Sequence, residues 1–169
     1  MRGRSGRRRC RGKAGSEKEC LPRSTLHRQG KKTLFYTAVI RPRGKVVTMQ
    51  VKRFDQNTTA RFLKKLRRSL PSYRIDMVWD NAPWHRSQAV RDELQASRIR
   101  EHRLPAYSPQ MNACEYFIRW AKETLSYNYC WQSVEALKIA LRGFAVSIAS
   151  KPDEVLSRCR PQMRGFCVA

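Results

Sequence analysis

Acidic residues are scarce in this sequence of 169 residues, which has 13 Asp and Glu against 36 Lys and Arg and a formal net charge of +23. Such an excess disfavours an ordinary neutral enzyme of small metabolites. Long hydrophobic runs are also missing: the longest, around residues 34–40, is far shorter than the roughly 20 residues of a membrane-spanning helix. The basic N-terminus lacks the apolar segment and cleavage site of a secretory signal. We therefore expect a cytoplasmic, nucleoid-associated protein without a membrane partner.

Cysteine pairs with metal-binding spacing are absent as well, because no C-x-x-C motif occurs and the cysteines lie at wide, irregular intervals. They are Cys10, Cys20, Cys114, Cys130, Cys159 and Cys167. This pattern excludes a zinc ribbon and a small disulfide framework, and reduced thiols are expected. The length and a hydrophobic fraction of 41% instead predict one domain that can close a core.

The positive charge is distributed in two different ways. Residues 1–33 carry 12 basic and 2 acidic residues, a net charge of +10, and show no apolar periodicity. This segment is predicted to be a disordered basic arm, which could contact nucleic acid or be merely an unfolded leader. Residues 34–150 form the predicted core, with a net charge of +13 on everything beyond residue 33. Residues 151–169 form a predicted C-terminal tail.

Within the core, the hydrophobic periodicity predicts four strands and four helices in the order β-β-α-β-α-β-α-α. The strands are predicted at 34–40, 45–51, 74–80 and 99–104, and the helices at about 55–70, 87–97, from 112 onward, and 133–150. A leading hairpin followed by alternating strands and helices indicates a mixed sheet covered by helices.

The first predicted helix is amphipathic with a strongly basic outer face. Its apolar stripe contains Phe62, Leu63, Leu66 and Leu70, and either Asp55 or Asn57 can cap its start. The basic residues that could line a path for DNA phosphates are Arg61, Lys64, Lys65, Arg67 and Arg68.

Two acids occupy positions that could serve chemistry or local structure. Asp80 follows an apolar strand, where α/β folds gather active-site groups, but an Asp-Asn pair also favours a simple Asx turn. Glu115 lies three residues after Asn112, a spacing that a helix capping box also explains. Each acid taken alone therefore has a sufficient structural explanation.

Together, the surroundings of the two acids resemble the catalytic core of DDE transposases, above all the mariner-type superfamily and its bacterial insertion-sequence relatives. The resemblance rests on DNAPWH at 80–85, on 34 intervening residues between the acids, on LPAYSPQMNACEY at 104–116 and on the element order. It covers about residues 34–150.

The resemblance implies a ribonuclease-H-like α/β fold in which three carboxylates bind two Mg²⁺ or Mn²⁺ ions. It places Asp80 and Glu115 as the second and third catalytic, metal-binding acids, with Asn81 and His85 supporting the first of them. Tyr107, Ser108, Pro109 and Asn112 match the loop that delivers Glu115, and loop and cap structure is sufficient to explain these four. The implied partners are DNA, as terminal inverted repeats and target, and a second transposase subunit, either an identical copy or a complementing one.

Two departures from the family pattern limit what can be expected. The family's first Asp lies in a strand upstream of 34–40, where this chain offers only Glu17 and Glu19, neither of them in a strand-like run. Asn112-Ala113-Cys114-Glu115 replaces the family's Asn-Pro-Ile-Glu, which should still present Glu115 because Ala is a good helix former. We therefore predict a transposase fragment that lacks its first strand and does not cleave DNA alone.

The alternative function is that of a non-catalytic basic DNA-binding protein in which the acids are structural. Salt dependence does not separate the two, because both bind phosphates. Divalent-metal binding does, since a plain DNA binder has no use for a carboxylate site.

Overall fold

The computed structural model describes residues 33–127, 129 and 131–161 of the chain. The strands in these ranges are β1 (Leu34–Ile40), β2 (Lys45–Val51), β3 (Ile75–Trp79) and β4 (Ile99–Arg103). The α-helices are α1 (Gln56–Ser69), α2 (Gln88–Ala96), α3 (Ala113–Leu125), α4 (Val134–Ala149) and α5 (Pro152–Arg158). No helix among these residues is long and apolar enough to cross a membrane.

The strands form two small sheets. β1 pairs with β2 in antiparallel register from Leu34↔Val51 to Ile40↔Lys45, and β3 pairs with β4 in parallel from Ile75↔Ile99 to Trp79↔Arg103. The predicted hairpin and the mixed α/β architecture flanked by helices are confirmed. The predicted single mixed sheet is instead two sheets among the described residues, because β1 and β3 are not hydrogen-bonded neighbours. The predicted basic arm and missing first strand fall on residues 1–32, outside the described part of the chain.

The β1–β2 hairpin lies between two hydrophobic clusters because its side chains alternate between its faces. Tyr36, Ala38 and Ile40 pack against the first cluster, which also contains the apolar sides of α1, α2, β3 and β4. Phe35 and Val39 pack against the second cluster, built from α3, α4 and α5. The hairpin therefore belongs to the core of both halves of the fold.

Helix α5 lies within the predicted C-terminal tail, where the sequence analysis predicted no element. Its Val155 and the following Cys159 are fully buried in the second cluster. The hairpin turn packs against the start of this helix: Gly44 has a φ of 63°, and a Cβ there would collide with the backbone of Pro152. Glycine is required at this position by both its conformation and this close approach.

The basic face of α1 is only partly free to bind DNA. Arg67 donates hydrogen bonds to the carbonyl oxygens of Ser97 (2.7 Å), Leu70 (3.0 Å), Tyr73 (2.7 Å) and Arg98 (3.1 Å). The Arg67 guanidinium thus ties the end of α1 to the turn between α2 and β4. Its predicted DNA contact competes with this internal role.

The other basic side chains of α1 differ among themselves. Lys65 donates to the carbonyl of Thr48 at 2.7 Å, and Lys64 pairs with Glu93 at 3.4 Å. Arg61 and Arg68 are exposed and make no hydrogen bond or ion pair with another described residue.

We expect Arg67→Met to lower the free energy of unfolding by about 2 kcal/mol, because four backbone carbonyls lose a charged donor. Arg68→Met removes the same charge from the same helix without breaking a hydrogen bond, and should leave stability nearly unchanged. Urea denaturation followed by circular dichroism measures both. Equal effects of the two substitutions would show that Arg67 has no special structural role.

Candidate active site

The loops that follow β3 and β4 meet at one edge of the parallel sheet, because parallel strands end on the same side. The backbone N–H of Leu104 continues the ladder to the carbonyl of Trp79 at 2.9 Å. One step further, the Asn81 side chain donates from Nδ2 to the Leu104 carbonyl at 2.8 Å. Asn81 therefore fixes the loop that begins with Asp80 against the loop that leads to α3.

Asp80 projects from this edge with a side chain that is 61% exposed. Its Oδ1 accepts a hydrogen bond from the backbone N–H of Ala82 at 3.1 Å, which is the Asx turn that the sequence allowed. The same oxygen lies 3.1 Å from Nδ1 of His85. No described residue bonds to Oδ2, so the turn leaves one carboxylate oxygen available.

His85 supports Asp80 from inside the protein. Its ring is buried and stacks on Trp79 with ring centroids 4.1 Å apart and planes 9° from parallel. Arg103 donates to the His85 carbonyl at 3.0 Å and further fixes the turn. Burial lowers the pKa of His85 below its usual value, although the nearby Asp80 carboxylate acts in the opposite direction. Because carbonyl and carboxylate oxygens can only accept, His85 Nδ1 carries a proton: it donates to the Asp80 backbone carbonyl at 3.4 Å and also faces the Asp80 carboxylate.

Glu115 lies in the first turn of α3, whose N-cap is Asn112. The Asn112 side chain accepts from the backbone N–H of Cys114 at 3.0 Å. The capping box considered for Asn112 and Glu115 is wrong in its second half, because the Glu115 carboxylate is exposed and makes no hydrogen bond with a described residue. A complete capping box is found instead at α1, between Asp55 and Thr58. The local reason that remains for an acid at position 115 is its place in the first turn of α3, where the helix dipole favours a negative charge.

Asp80 and Glu115 line the same open cleft, which has a volume of about 340 Å³. Asn81, Asn112 and the loop of residues 104–109 form the rest of its wall. Two carboxylates with available oxygens have the donor chemistry that hard divalent cations prefer. The part of the chain that the structure describes contains no group of three His, Cys, Asp or Glu side chains that could hold a metal ion. The two described acids of the cleft thus fit a hard divalent cation in ligand type.

Cys114 connects the start of α3 to the central hairpin, a contact that the sequence analysis missed. Its thiol donates to the carbonyl of Thr37 in β1 at 3.4 Å. Burial raises the pKa of Cys114 to about 11, and the carboxylates of Glu115 and Asp80 act in the same direction. Cys114 is a free thiol, as is Cys159. No sequence pattern marked Cys114, because the contact joins residues 77 positions apart.

Arg119 was also missed, although it lies one helical turn after Glu115. A smaller pocket shares Pro109 and Glu115 with the cleft and is completed by Gln110, Tyr116 and Arg119. The basic residues predicted on α1 do not line either pocket. Arg119 of α3 is thus the basic residue that shares a pocket with Glu115, whereas Arg103 of β4 donates to the Asp80 backbone carbonyl at 3.4 Å.

We expect native Cys114 to resist alkylation at pH 8, because a thiol pKa of about 11 instead of 9.0 lowers the thiolate fraction about 100-fold. Iodoacetamide labelling followed by peptide mass mapping measures this. The control is the same protein in guanidinium chloride, where the Cys114 peptide should label fully. Rapid labelling of the native thiol would contradict its position against β1.

Comparison with known proteins identifies a family whose sequence profile matches most of the chain. The sequence profile of the DDE superfamily endonucleases matches residues 2–138. A comparison with curated proteins finds no significant match.

Several solved structures have a similar fold. The Mos1 transposase in a paired-end complex with its left transposon end is 23% identical, with a TM-score of 0.61 over 91% of this chain and 49% of that one. The catalytic domain of the Mos1 mariner transposase is 16% identical, with a TM-score of 0.56 over 78% of this chain and 76% of that one. A chain of the simian T-cell lymphotropic virus intasome in complex with PP2A regulatory subunit B56 gamma is 21% identical. Its TM-score is 0.52 over 64% of this chain and 41% of that one.

These likenesses confirm the predicted ribonuclease-H-like fold. The chain spans less than half the length of the transposase in the paired-end complex and of the intasome chain.

Proposed function

This chain belongs to the DDE superfamily endonucleases, and from that premise we propose that its cleft binds the DNA ends of an insertion sequence for cleavage and strand transfer. The observation that carries the proposal is that Asp80 and Glu115 line one cleft while each retains carboxylate oxygens without a partner among the described residues. Asp80 follows β3 and Glu115 lies in α3, so no single turn or helix cap explains both acids. Their convergence supports the catalytic roles that the sequence resemblance implied.

A DNA phosphodiester is anionic, so two carboxylates repel it unless cations intervene. In the proposed site Asp80 and Glu115 would hold Mg²⁺ or Mn²⁺, and the bound cations would supply neutralisation of the scissile phosphate and activation of the attacking oxygen. His85 faces Oδ1 of Asp80 at 3.1 Å, and Oδ2 has no partner among the described residues. Asn81 keeps the two loops in register, and Asn112 fixes the helix start that presents Glu115. These three residues thus position the two acids.

We further propose that the site is incomplete within this chain and that a complementing subunit supplies a third acid. The support for this is that no third acid joins Asp80 and Glu115 in the cleft among the described residues, and Glu17 and Glu19 lie outside them. A second subunit also suits the reaction, because transposition brings two DNA ends together.

The proposed DNA path follows exposed basic groups. Arg61 and Arg68 are the members of the α1 face whose guanidinium groups are free of contacts with described residues. Lys64 and Lys65 could bind phosphates only by giving up their contacts with Glu93 and Thr48, and Arg67 only by releasing four carbonyls. We therefore assign the principal phosphate contacts of this helix to Arg61 and Arg68.

Mn²⁺ titration followed by electron paramagnetic resonance tests the metal site. We expect Asp80→Asn and Glu115→Gln each to weaken Mn²⁺ binding at least about tenfold, because each removes one of two anionic ligands. Glu123→Gln is the matched control, since Glu123 is exposed on the same helix and does not line the cleft. Binding that survives both cleft substitutions would favour the alternative function, a basic DNA-binding protein whose acids are structural.

Incubation with Mg²⁺ or Mn²⁺ and terminal-repeat DNA tests the incompleteness. We expect the purified chain to bind the DNA without cutting it, because two ligands hold the metal pair poorly. Gel electrophoresis of end-labelled DNA measures the products. Clear cleavage that disappears in Asp80→Ala would show that the chain is a complete enzyme.

A further inference from the structure

Tyr107 is held in an unfavourable conformation at the edge of the cleft. Its φ is 57°, in the left-handed region that bulky residues rarely adopt, and its side chain is 100% exposed. It lines the same cleft as Asp80 and Glu115. Backbone strain of this kind persists only where the surrounding structure imposes it, and it is concentrated at functional sites.

The structure around Tyr107 holds the loop and leaves the ring free. On one side, Leu104 is buried and bonded to β3 through the carbonyl of Trp79. On the other side, Ser108 donates to the Ala106 carbonyl at 3.3 Å, and the turn Pro109–Met111 leads into the cap of α3. The loop is thus fixed at both ends, and yet the Tyr107 ring packs against nothing described. The structure of the loop explains the positions of Leu104 and Ser108, but it does not explain why an aromatic ring is exposed at position 107.

Arg119 adds a cation beside Glu115. Its guanidinium lies 5.9 Å from the centroid of the Tyr116 ring, and the Tyr116 hydroxyl donates to the Gln110 carbonyl at 3.1 Å. Arg119 makes no hydrogen bond or ion pair with another described residue. Through Glu115 and Pro109, the pocket of Arg119 is continuous with the cleft of Tyr107.

We propose that Tyr107 stacks on an unpaired nucleobase of the DNA strand bound in the cleft and that Arg119 binds a phosphate of that strand. This inference rests on the proposed function, because it takes DNA as the occupant. An exposed aromatic ring beside a cationic groove is the arrangement that binds single-stranded nucleic acid. Inside a duplex each base face is covered by the next base pair, so only a frayed or unpaired end offers a face to Tyr107. The site therefore selects DNA ends that are already open.

The test compares two labelled DNAs by fluorescence anisotropy in Mg²⁺: a blunt duplex and the same duplex with a short unpaired overhang. The unchanged protein should bind the overhang more tightly than the blunt end. Tyr107→Ala should reduce its affinity for the overhang by about fivefold or more and leave blunt-end binding unchanged, whereas Tyr107→Phe should retain the preference. Tyr127→Ala is the matched control, because Tyr127 is 75% exposed and lies outside the cleft.

Arg119→Gln should weaken the binding of both DNAs and reduce the slope of log affinity against log salt by about one, as the loss of one phosphate contact requires. Thermal unfolding should be unchanged in Tyr107→Ala, since the ring is not packed, and this separates binding from folding.

Three outcomes would overturn the stacking role: unchanged overhang binding in Tyr107→Ala, an equal loss for both DNAs, or a loss of self-association in sedimentation, which would make Tyr107 a protein contact. The first two leave the proposed function standing if Asp80 and Glu115 still bind Mn²⁺. Absence of DNA binding by the unchanged protein would instead refute the proposed function itself.

Discussion

The two-sided packing of the β1–β2 hairpin is the constraint on which the cleft depends. One face of the hairpin packs with the cluster that supports β3, from which Asp80 follows. The other face packs with the cluster around α3, which carries Glu115. The two acids therefore belong to different halves of the fold, and their relation is set by a two-stranded ribbon that both halves share. A change inside the hairpin alters the cleft even though no hairpin residue lines it.

Ion pairs occupy many of the acids in this basic protein, although Asp92, Glu123 and Asp153 share with Glu115 the lack of an ion-pair partner among the described residues. Asp76 contacts Arg74, Arg100 and His102, and Glu101 contacts Arg103. With almost three bases for every acid, a carboxylate readily finds a basic neighbour. Glu115 has none among the described residues, although Arg119 lies one turn away. Both charges thus remain available to a ligand.

Much of the fold could be predicted because the local signals agree with the final structure. Asp55 caps α1, Ser87 caps α2 and Asn112 caps α3, close to the starts that the sequence indicated. Helix α5 escaped prediction because seven residues give too little periodicity. The role of Arg67 escaped as well, since a basic position on a helix face does not reveal whether carbonyl oxygens or solvent lie opposite. The exposure of Glu115 could not be separated from a capping box until the side chain was placed.

The contact between Cys114 and β1 has a consequence for how the sheet can grow. Besides the Thr37 carbonyl, the backbone N–H of Val39 is directed at the Cys114 sulfur. Groups two residues apart lie on the same edge of a strand, and β2 is bonded along the opposite edge. The thiol thus contacts the edge of β1 that pairs with no described strand, where an incoming strand would form its hydrogen bonds. A strand that docks there must first displace the start of α3, so extending the sheet and moving Glu115 are one event.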